Sequence, residues 1–334
     1  MKIKLLIFFV LILSETSFSQ KNKINGISFV GGRNVVTEAS IKPVINVNAN
    51  WVCLMPFGFM QSLNATQISF NRDRQWWGER KVGVRNTSAL FHNAGVKVMV
   101  KPQIWISRGA FTGHIGMKTE DEWKLFESVY EQFILEYAVL AQEIKAELFC
   151  IGTELNKFVT KRPQFWEKLI AKVRKVYKGK LTYAENWDTF DKVHFWKKLD
   201  YIGVDAYFPL SGAQTPGIEE MEKGWDKHKS EIAALQQKEN KPVLFTEYGY
   251  RSVDFAARQP WNSDRSMNSV NLKAQENALK AIYNKFWDED WFAGGFLWKW
   301  YDFHHKAGGT SNSRFTPQNK PAEKLIQEFY GTYQ

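Results

Sequence analysis

From residue 21 onward, short apolar runs alternate with longer segments in which apolar residues recur every three or four positions. Apolar runs without alternating polar residues are typical of strands that are buried on both faces. The predicted strands are Gly26–Val30, Trp51–Phe57, Lys97–Ile106, Leu148–Glu154, Leu181–Asn186, Tyr201–Tyr207, Val243–Tyr248 and Gly294–Trp300. Eight such strands in strict alternation with helices predict an α/β fold, a (β/α)8 TIM barrel formed by a single domain.

The segments between the strands carry helix signals. Apolar residues spaced three and four positions apart predict a helix between the third and fourth strands, and Thr119 with Glu122 forms a capping-box pattern at its start. Further helices are predicted from Pro163, a residue favoured in the first turn, to Gly179, and from about Asn271 to Trp287.

Two glutamates stand at the ends of apolar strands. Glu154 ends the fourth predicted strand, and Glu247, followed by Tyr248 and Gly249, lies near the end of the seventh. A carboxylate at the tip of a buried strand is costly unless it is paired or used. Either glutamate could be a helix cap or half of a salt bridge. Because active sites of such barrels lie at the carboxyl ends of the strands, however, the pair predicts an acid/base and a nucleophile of the glycosidase kind.

Polar and aromatic residues end the other predicted strands. Tyr207 follows the sixth strand and is expected to hydrogen-bond the carboxylate of the seventh, and Trp298 in the eighth offers a flat indole for a sugar ring. Aromatic faces beside amides and charges are typical of a carbohydrate cleft. The remaining strand-end candidates are Lys101, Gln103, Trp105, Asn186 and Trp187.

Composition supports a folded, aromatic-rich protein. The 334 residues are 44% apolar and 24% charged, and they include 14 Trp, 12 Tyr and 25 Phe, so some rings are expected to line a cleft in addition to the core. The formal charge is +10, but no basic run is interleaved with stacking aromatics. Nucleic acid is therefore not an expected partner, and a solvated basic surface accounts for the charge.

Residues 1–20 are predicted to be a secretory signal peptide, and residues 21–334 the catalytic domain. Lys2 and Lys4 precede an apolar core from Leu5 to Leu13, and small residues flank Phe18 before the expected cleavage point. The apolar core is shorter than the ~20 residues that span a bilayer. The mature protein is therefore expected to be secreted or periplasmic, with no membrane association.

Cysteine usage and short motifs indicate no further chemistry. Cys53 and Cys150 fall inside strand-like runs, where free buried thiols are favoured over a disulfide. Serine-hydrolase, zinc-protease and P-loop motifs are absent. His304 and His305 lie in a Gly-rich region without a matching carboxylate, which favours a surface or subsite role over metal binding. Neither a cofactor nor a metal is predicted.

The sequence resembles the retaining glycoside hydrolases of the large (β/α)8 clan and is most similar to glycoside hydrolase family 113, the β-mannanases. Four segments carry the resemblance: Trp76-Trp77-Gly78-Glu79, Val96 to Pro102, Gly152-Thr153-Glu154-Leu155 and Thr246 to Tyr250. The clan places its acid/base and nucleophile after strands four and seven. Gln103 stands where the family pattern Lys-Pro-His has histidine.

The resemblance implies that Glu154 is the general acid/base and Glu247 the nucleophile, with carboxyl groups roughly 5–5.5 Å apart, as in retaining enzymes. It implies Trp298 as the floor of the subsite where cleavage occurs. The rest of the groove would be lined by Tyr207, Asn186, Trp187, Lys101, Gln103, Trp105, Trp76 and Glu79.

Three functions remain open from the sequence. The first is an exported retaining enzyme that cleaves β-1,4-mannosidic bonds in mannan or mannooligosaccharides. The second is the same chemistry on another β-linked glycan, such as glucan or glucomannan. The third is a catalytically inactive carbohydrate-binding barrel, against which the presence of both glutamates argues.

Overall fold

A closed barrel of parallel strands forms the centre of the protein in a computed structural model that describes residues 23–264 and 266–333. The predicted signal peptide lies outside the described residues. The strands, in chain order, are β1 (Ile24–Phe29), β2 (Trp51–Leu54), β3 (Phe57–Met60), β4 (Ser69–Phe70), β5 (Lys97–Val100), β6 (Gln103–Ile106), β7 (Leu148–Thr153), β8 (Lys180–Asn186), β9 (Ile202–Asp205), β10 (Val243–Tyr248) and β11 (Phe292–Trp300). The barrel closes in the order β1-β11-β10-β9-β8-β7-β5-β2. The predicted (β/α)8 fold is confirmed.

Helices cover the outside of the barrel. In the described chain they are α1 (Glu38–Asn46), α2 (Lys81–Asn93), α3 (Glu120–Glu143), α4 (Asn156–Lys161), α5 (Pro163–Val176), α6 (Ile218–Glu239), α7 (Leu272–Phe286) and α8 (Pro321–Thr332). The helix ends follow the sequence signals. Thr119 and Glu122 form the predicted reciprocal cap of α3, and the Asn271 side chain accepts a hydrogen bond from the backbone of Ala274 at the start of α7.

The strict alternation of strand and helix fails at one point. The fully described segment between β8 and β9 has no α-helix and contains two 3₁₀ turns, Phe190–Lys192 and Trp196–Lys198. Phe190, Phe195 and Trp196 are buried, and the Trp196 indole donates to the Phe190 carbonyl oxygen at 2.9 Å. Three large buried side chains so close in sequence hold this short segment against the barrel without a helix.

Two predicted strands are each split by a proline. The second ends at Leu54, before Pro56, and the third at Val100, before Pro102. Beyond the prolines, β3 and β6 pair in parallel in a separate three-stranded sheet that β4 completes on the antiparallel edge. Because proline has no backbone N–H, each proline interrupts a ladder that the apolar pattern alone makes continuous.

The barrel interior contains a distinct apolar cluster that includes Cys53, Met99, Cys150, Leu244 and Phe296. Both cysteines are buried and free, as predicted. A larger cluster fills the layer between strands and helices. No helix in the described chain is both long and apolar enough to cross a membrane. Because all eight barrel strands are parallel, their carboxyl ends share one rim.

Candidate active site

Glu154 and Glu247 lie at this shared rim. Glu154 directly follows β7, and its backbone N–H donates to the carbonyl oxygen of Ala184 in β8 at 2.7 Å. Its backbone φ of 51° is in the left-handed region, which residues other than glycine rarely adopt. Glu247 lies in β10 opposite Asp205 of β9. The structure therefore places both predicted catalytic residues at the barrel mouth.

The Glu247 carboxylate is held at both oxygens. Oε1 accepts hydrogen bonds from Nζ of Lys101 at 2.6 Å and from Nε2 of Gln103 at 2.9 Å, and Oε2 accepts one from the Tyr207 hydroxyl at 2.8 Å. Only 6% of Glu247 is exposed. The predicted contact with Tyr207 is present, and Gln103 supplies an amide donor at the position where the family pattern has histidine. These donors fix the orientation of the carboxylate.

Lys101 also contacts a second buried carboxyl group. Its Nζ lies 3.2 Å from Oδ1 of Asp205, which accepts a further hydrogen bond from Thr246 at 2.7 Å. Burial lowers the pKa of Lys101, but Asp205 and Glu247 outweigh this effect, so the pKa lies above its ordinary value. Burial and the charge of Glu247 raise the pKa of Asp205 to about 7, although Lys101 opposes the shift.

Glu154 has a different environment. It remains partly accessible, and none of the described residues donates a hydrogen bond to its carboxyl group. Burial, followed by the charges of Asp205 and Glu247, raises its pKa well above the ordinary range. Glu247, by contrast, has three donors. Two carboxyl groups with such different surroundings are suited to separate acid and nucleophile roles.

A hydrogen-bonded chain from β8 supports the Glu154 turn. The Tyr183 hydroxyl accepts from the backbone N–H of Leu155 at 2.8 Å and donates to Oε2 of Glu185 at 3.1 Å. Oε1 of Glu185 accepts from the backbone N–H of Asn186 and from the Thr189 hydroxyl. Burial raises the pKa of Glu185 to about 7. The chain gives the backbone beside Glu154 a fixed, buried partner.

The other aromatic candidates occupy separate places. Trp298 is half-buried, and the Lys299 ammonium lies 4.9 Å from its ring centroid. Trp187 stacks on Trp261 with ring centroids 5.0 Å apart. Trp105, in β6, is 53% exposed. All these rings retain surface that a sugar can contact, so their subsite roles stay predictions.

Within the described chain, none of the remaining candidates forms a hydrogen bond or an ion pair with Glu154 or Glu247. The Asn186 amide donates to Asp188 at 2.9 Å. Trp76 is 42% exposed and lies against the Arg33 guanidinium, 5.2 Å from its ring centroid. Burial raises the pKa of Glu79 to about 7, and its charge acts on buried Tyr137 of α3. Substrate binding by these three residues also stays a prediction.

The sequence reasoning missed Asp205, Glu185 and Trp261. Asp205 and Glu185 lie in the same strand-end segments as the predicted site residues Tyr207 and Asn186. A buried lysine such as Lys101 needs a counter-charge, which is a signal for Asp205. Trp261 lies in a loop and carries no comparable signal. His304 contacts Glu323 at 2.7 Å, and the described chain has no cluster of three metal-ligating residues.

A (β/α)8 barrel with paired carboxyl groups and aromatic side chains at its mouth is the arrangement of a glycoside hydrolase. The sequence profile of Glycoside Hydrolase Family 113 matches residues 33–320. The chain belongs to Glycoside Hydrolase Family 113, which confirms the resemblance seen in the sequence.

Solved structures show the same fold. A β-mannanase of this family from Alicyclobacillus acidocaldarius, in complex with ManMIm, is 24% identical, with a TM-score of 0.82 over 94% of this chain and 98% of that chain. Another β-1,4-mannanase of the family is 24% identical, with a TM-score of 0.80 over 93% of this chain and 99% of that chain. A β-glucuronidase from Ruminococcus gnavus is 12% identical, with a TM-score of 0.62 over 92% of this chain and 50% of that chain. A comparison with curated proteins found no match.

Proposed function

We propose that the protein is an exported retaining glycoside hydrolase that cleaves β-1,4-mannosidic bonds in mannan or mannooligosaccharides by double displacement. The observation that supports this mechanism is the difference between the surroundings of the two rim glutamates. Glu247 is held by three donors, whereas Glu154 has a strongly raised pKa and none.

In the first step, Glu247 attacks the anomeric carbon while Glu154 gives its proton to the leaving oxygen. The contacts from Lys101, Gln103 and Tyr207 fix the attacking oxygens in position. The raised pKa of Glu154 favours the protonated form of its carboxyl group, which supplies the proton.

In the second step, Glu154 removes a proton from the water that hydrolyses the glycosyl-enzyme. Once Glu247 is esterified, its negative charge is gone. That charge is one of the causes that raise the pKa of Glu154, so the pKa falls when Glu154 has to act as a base. The same residue therefore serves both half-reactions.

The roles are tested by Glu154→Ala and Glu247→Ala, with Glu143→Ala on the surface of α3 as a control. Each rim variant is expected to lose turnover by orders of magnitude with its circular dichroism unchanged. Azide is expected to restore the Glu247 variant with inverted product stereochemistry and the Glu154 variant with retained stereochemistry, as read by proton NMR. Turnover of mannan by both variants at the parent rate would contradict the assignment.

Mannan as substrate is supported by membership of the family and by two solved structures of similar fold, which are both β-mannanases. Initial rates on mannan, glucomannan, xylan and cellulose oligomers of equal length test it. Activity on glucans without activity on mannans would replace it with the same chemistry on another β-linked sugar. Binding of oligosaccharides without turnover of any of them would indicate an inactive binding barrel.

Export is part of the proposal and rests on the charged start, apolar core and small residues of the first 20 positions. The full chain is to be expressed in a bacterial host, and the mature protein sequenced from its amino terminus. A new terminus at Gln20 or Lys21 in the periplasm or medium supports export. An intact chain retained in the cytoplasm contradicts it.

A further inference from the structure

Lys299 is a cation at the barrel mouth that the proposed reaction leaves unused. It follows Trp298 in β11, and its ammonium nitrogen lies 4.9 Å from the Trp298 ring centroid and 5.6 Å from that of Tyr301. Burial lowers its pKa, an effect that Glu247 opposes and Arg314 reinforces. The ammonium therefore lies beside the predicted sugar platform, where the charge of Glu247 acts on it.

Lys299 forms no salt bridge and no side-chain hydrogen bond with any described residue. Lys299 and Glu247 form no ion pair in the described chain, and the oxygens of Glu247 accept from Lys101, Gln103 and Tyr207. A half-buried ammonium whose contacts are two aromatic faces is incompletely compensated, since such contacts contribute less than a buried ion pair. An anionic group in the cleft would complete its surroundings.

Arg314 adds a second positive charge on the same side. It is exposed, it lies in the loop after β11, and within the described chain its guanidinium has no carboxylate partner. Its neighbour Phe315 packs edge-on against Tyr207, which itself contacts Glu247. This packing ties the loop that carries Arg314 to the catalytic site.

We propose that Lys299, assisted by Arg314, binds an anionic substituent, a carboxylate or a sulfate ester, on the sugar that lies at Trp298. The inference rests on the proposed glycan-cleaving function and adds to it a preference for chains that carry acidic groups. Lys299 acts as a specificity residue, because a fixed ammonium that lacks a partner favours an anion over a hydroxyl.

The test compares three β-1,4-linked tetrasaccharides: mannotetraose, its fully C6-oxidised mannuronate counterpart and its 6-sulfated form. Lys299→Met is expected to lower kcat/KM on at least one acidic tetrasaccharide about 10-fold more than on mannotetraose. Arg314→Met is expected to have a smaller effect of the same kind. The two acidic substrates distinguish a carboxylate from a sulfate.

Two controls isolate the charge. Lys299→Arg is expected to keep most of the preference for the acidic substrate, and Lys227→Met, on the exposed face of α6, is expected to leave it unchanged. The preference for the acidic substrate is expected to decline as the salt concentration rises from roughly 0.05 to 0.5 M, because salt screens the attraction between the ammonium and the anion. Equal losses on neutral and acidic substrates in Lys299→Met would show a hydroxyl contact or a structural role and overturn the inference.

Failure of the inference is distinguishable from failure of the proposed function. A parent enzyme that cleaves mannotetraose and neither acidic form retains the proposed function and overturns the inference. Calorimetric binding in a Glu154→Gln background needs no turnover and leaves the surroundings of Lys299 in place. Binding of an acidic tetrasaccharide that Lys299→Met weakens about 10-fold supports the inference whichever bond is cleaved. Absence of such binding overturns it.

Discussion

Lys101 donates a 2.6 Å hydrogen bond to Glu247 across the full width of the barrel mouth. Lys101 follows β5 and Glu247 lies in β10, and these strands stand opposite each other in the closed order of eight. The side chain of Lys101 is wholly buried. One cation thus joins two sides of the rim at the point where Glu247, the proposed nucleophile, is held.

Replacing Lys101 by methionine is expected to destabilise the fold and to abolish turnover. The change leaves Glu247 and Asp205 buried without their cation, a situation that costs about 3–5 kcal/mol. Urea unfolding at pH 8 measures the loss, which is expected to be smaller at pH 6, where Asp205 is protonated. Lys172→Met, which breaks an exposed pair with Glu131, is the control and is expected to cost about 0–1 kcal/mol. Equal losses in the two variants would contradict the role of Lys101.

Asp205→Asn is expected to move the alkaline limb of the activity profile to lower pH. Glu154 has to be protonated to donate, and above about pH 7 the negative charge of Asp205 helps to keep it so. Removing that charge lowers the pKa of Glu154, so activity declines at a lower pH. The measurement is kcat/KM from pH 5 to 10. Asp200→Asn, at the opposite end of β9, is the matched control, and an unmoved limb in Asp205→Asn would contradict the coupling.

Glu185 is expected to make stability depend on pH. Burial raises its folded-state pKa from 4.5 to about 7, so its contribution is fully present below about pH 4.5 and is lost as pH rises through 7. Glu185→Gln is therefore expected to reduce the decline in the free energy of unfolding between pH 4.5 and 7.5 by on the order of 3 kcal/mol. Urea unfolding across this range measures it. A decline as steep as that of the parent would contradict the shift, and Glu143→Gln on the surface is the control.

Tyr183→Phe is expected to lower kcat more than it changes KM. The phenol holds the Leu155 N–H beside Glu154, and its loss leaves a buried donor unpaired, at a cost of about 1–3 kcal/mol. Steady-state kinetics and thermal unfolding separate the two effects. The control is Tyr177→Phe, which removes a buried hydrogen bond to Ala146 near the other end of β7. It is expected to lose stability without losing kcat, and a parallel loss of kcat in both variants would show a purely structural effect.

The barrel was predictable because each barrel strand is marked by an apolar run of neighbouring residues. An uninterrupted apolar run such as Leu148 to Ile151 needs burial on both faces wherever it lies, and the cap at Thr119 depends on residues three positions apart. The missing helix between β8 and β9 was not predictable in this way. Its segment is fixed by tertiary packing of Phe190, Phe195 and Trp196, which overrides the expected alternation.

The site was predictable only in part. Glu154 and Glu247 each end an apolar run, so each is visible from its own neighbours. The contact between Lys101 and Asp205 joins residues 104 positions apart and depends on the closure of the barrel. That Asp205 and Glu185 belong to the site likewise depends on which side chains at the strand ends turn inward. No local pattern contains that information.

The backbone at Glu154 has a consequence for attempts to engineer this protein. The φ of 51° is a conformation that glycine adopts freely and glutamate does not, and the side chain carries a carboxyl group whose charged form burial disfavours. Glycine at this position would relieve both conflicts while removing the proposed acid. A library selected for heat resistance alone would therefore be enriched in inactive proteins at position 154, so thermal selection has to be combined with a screen for turnover.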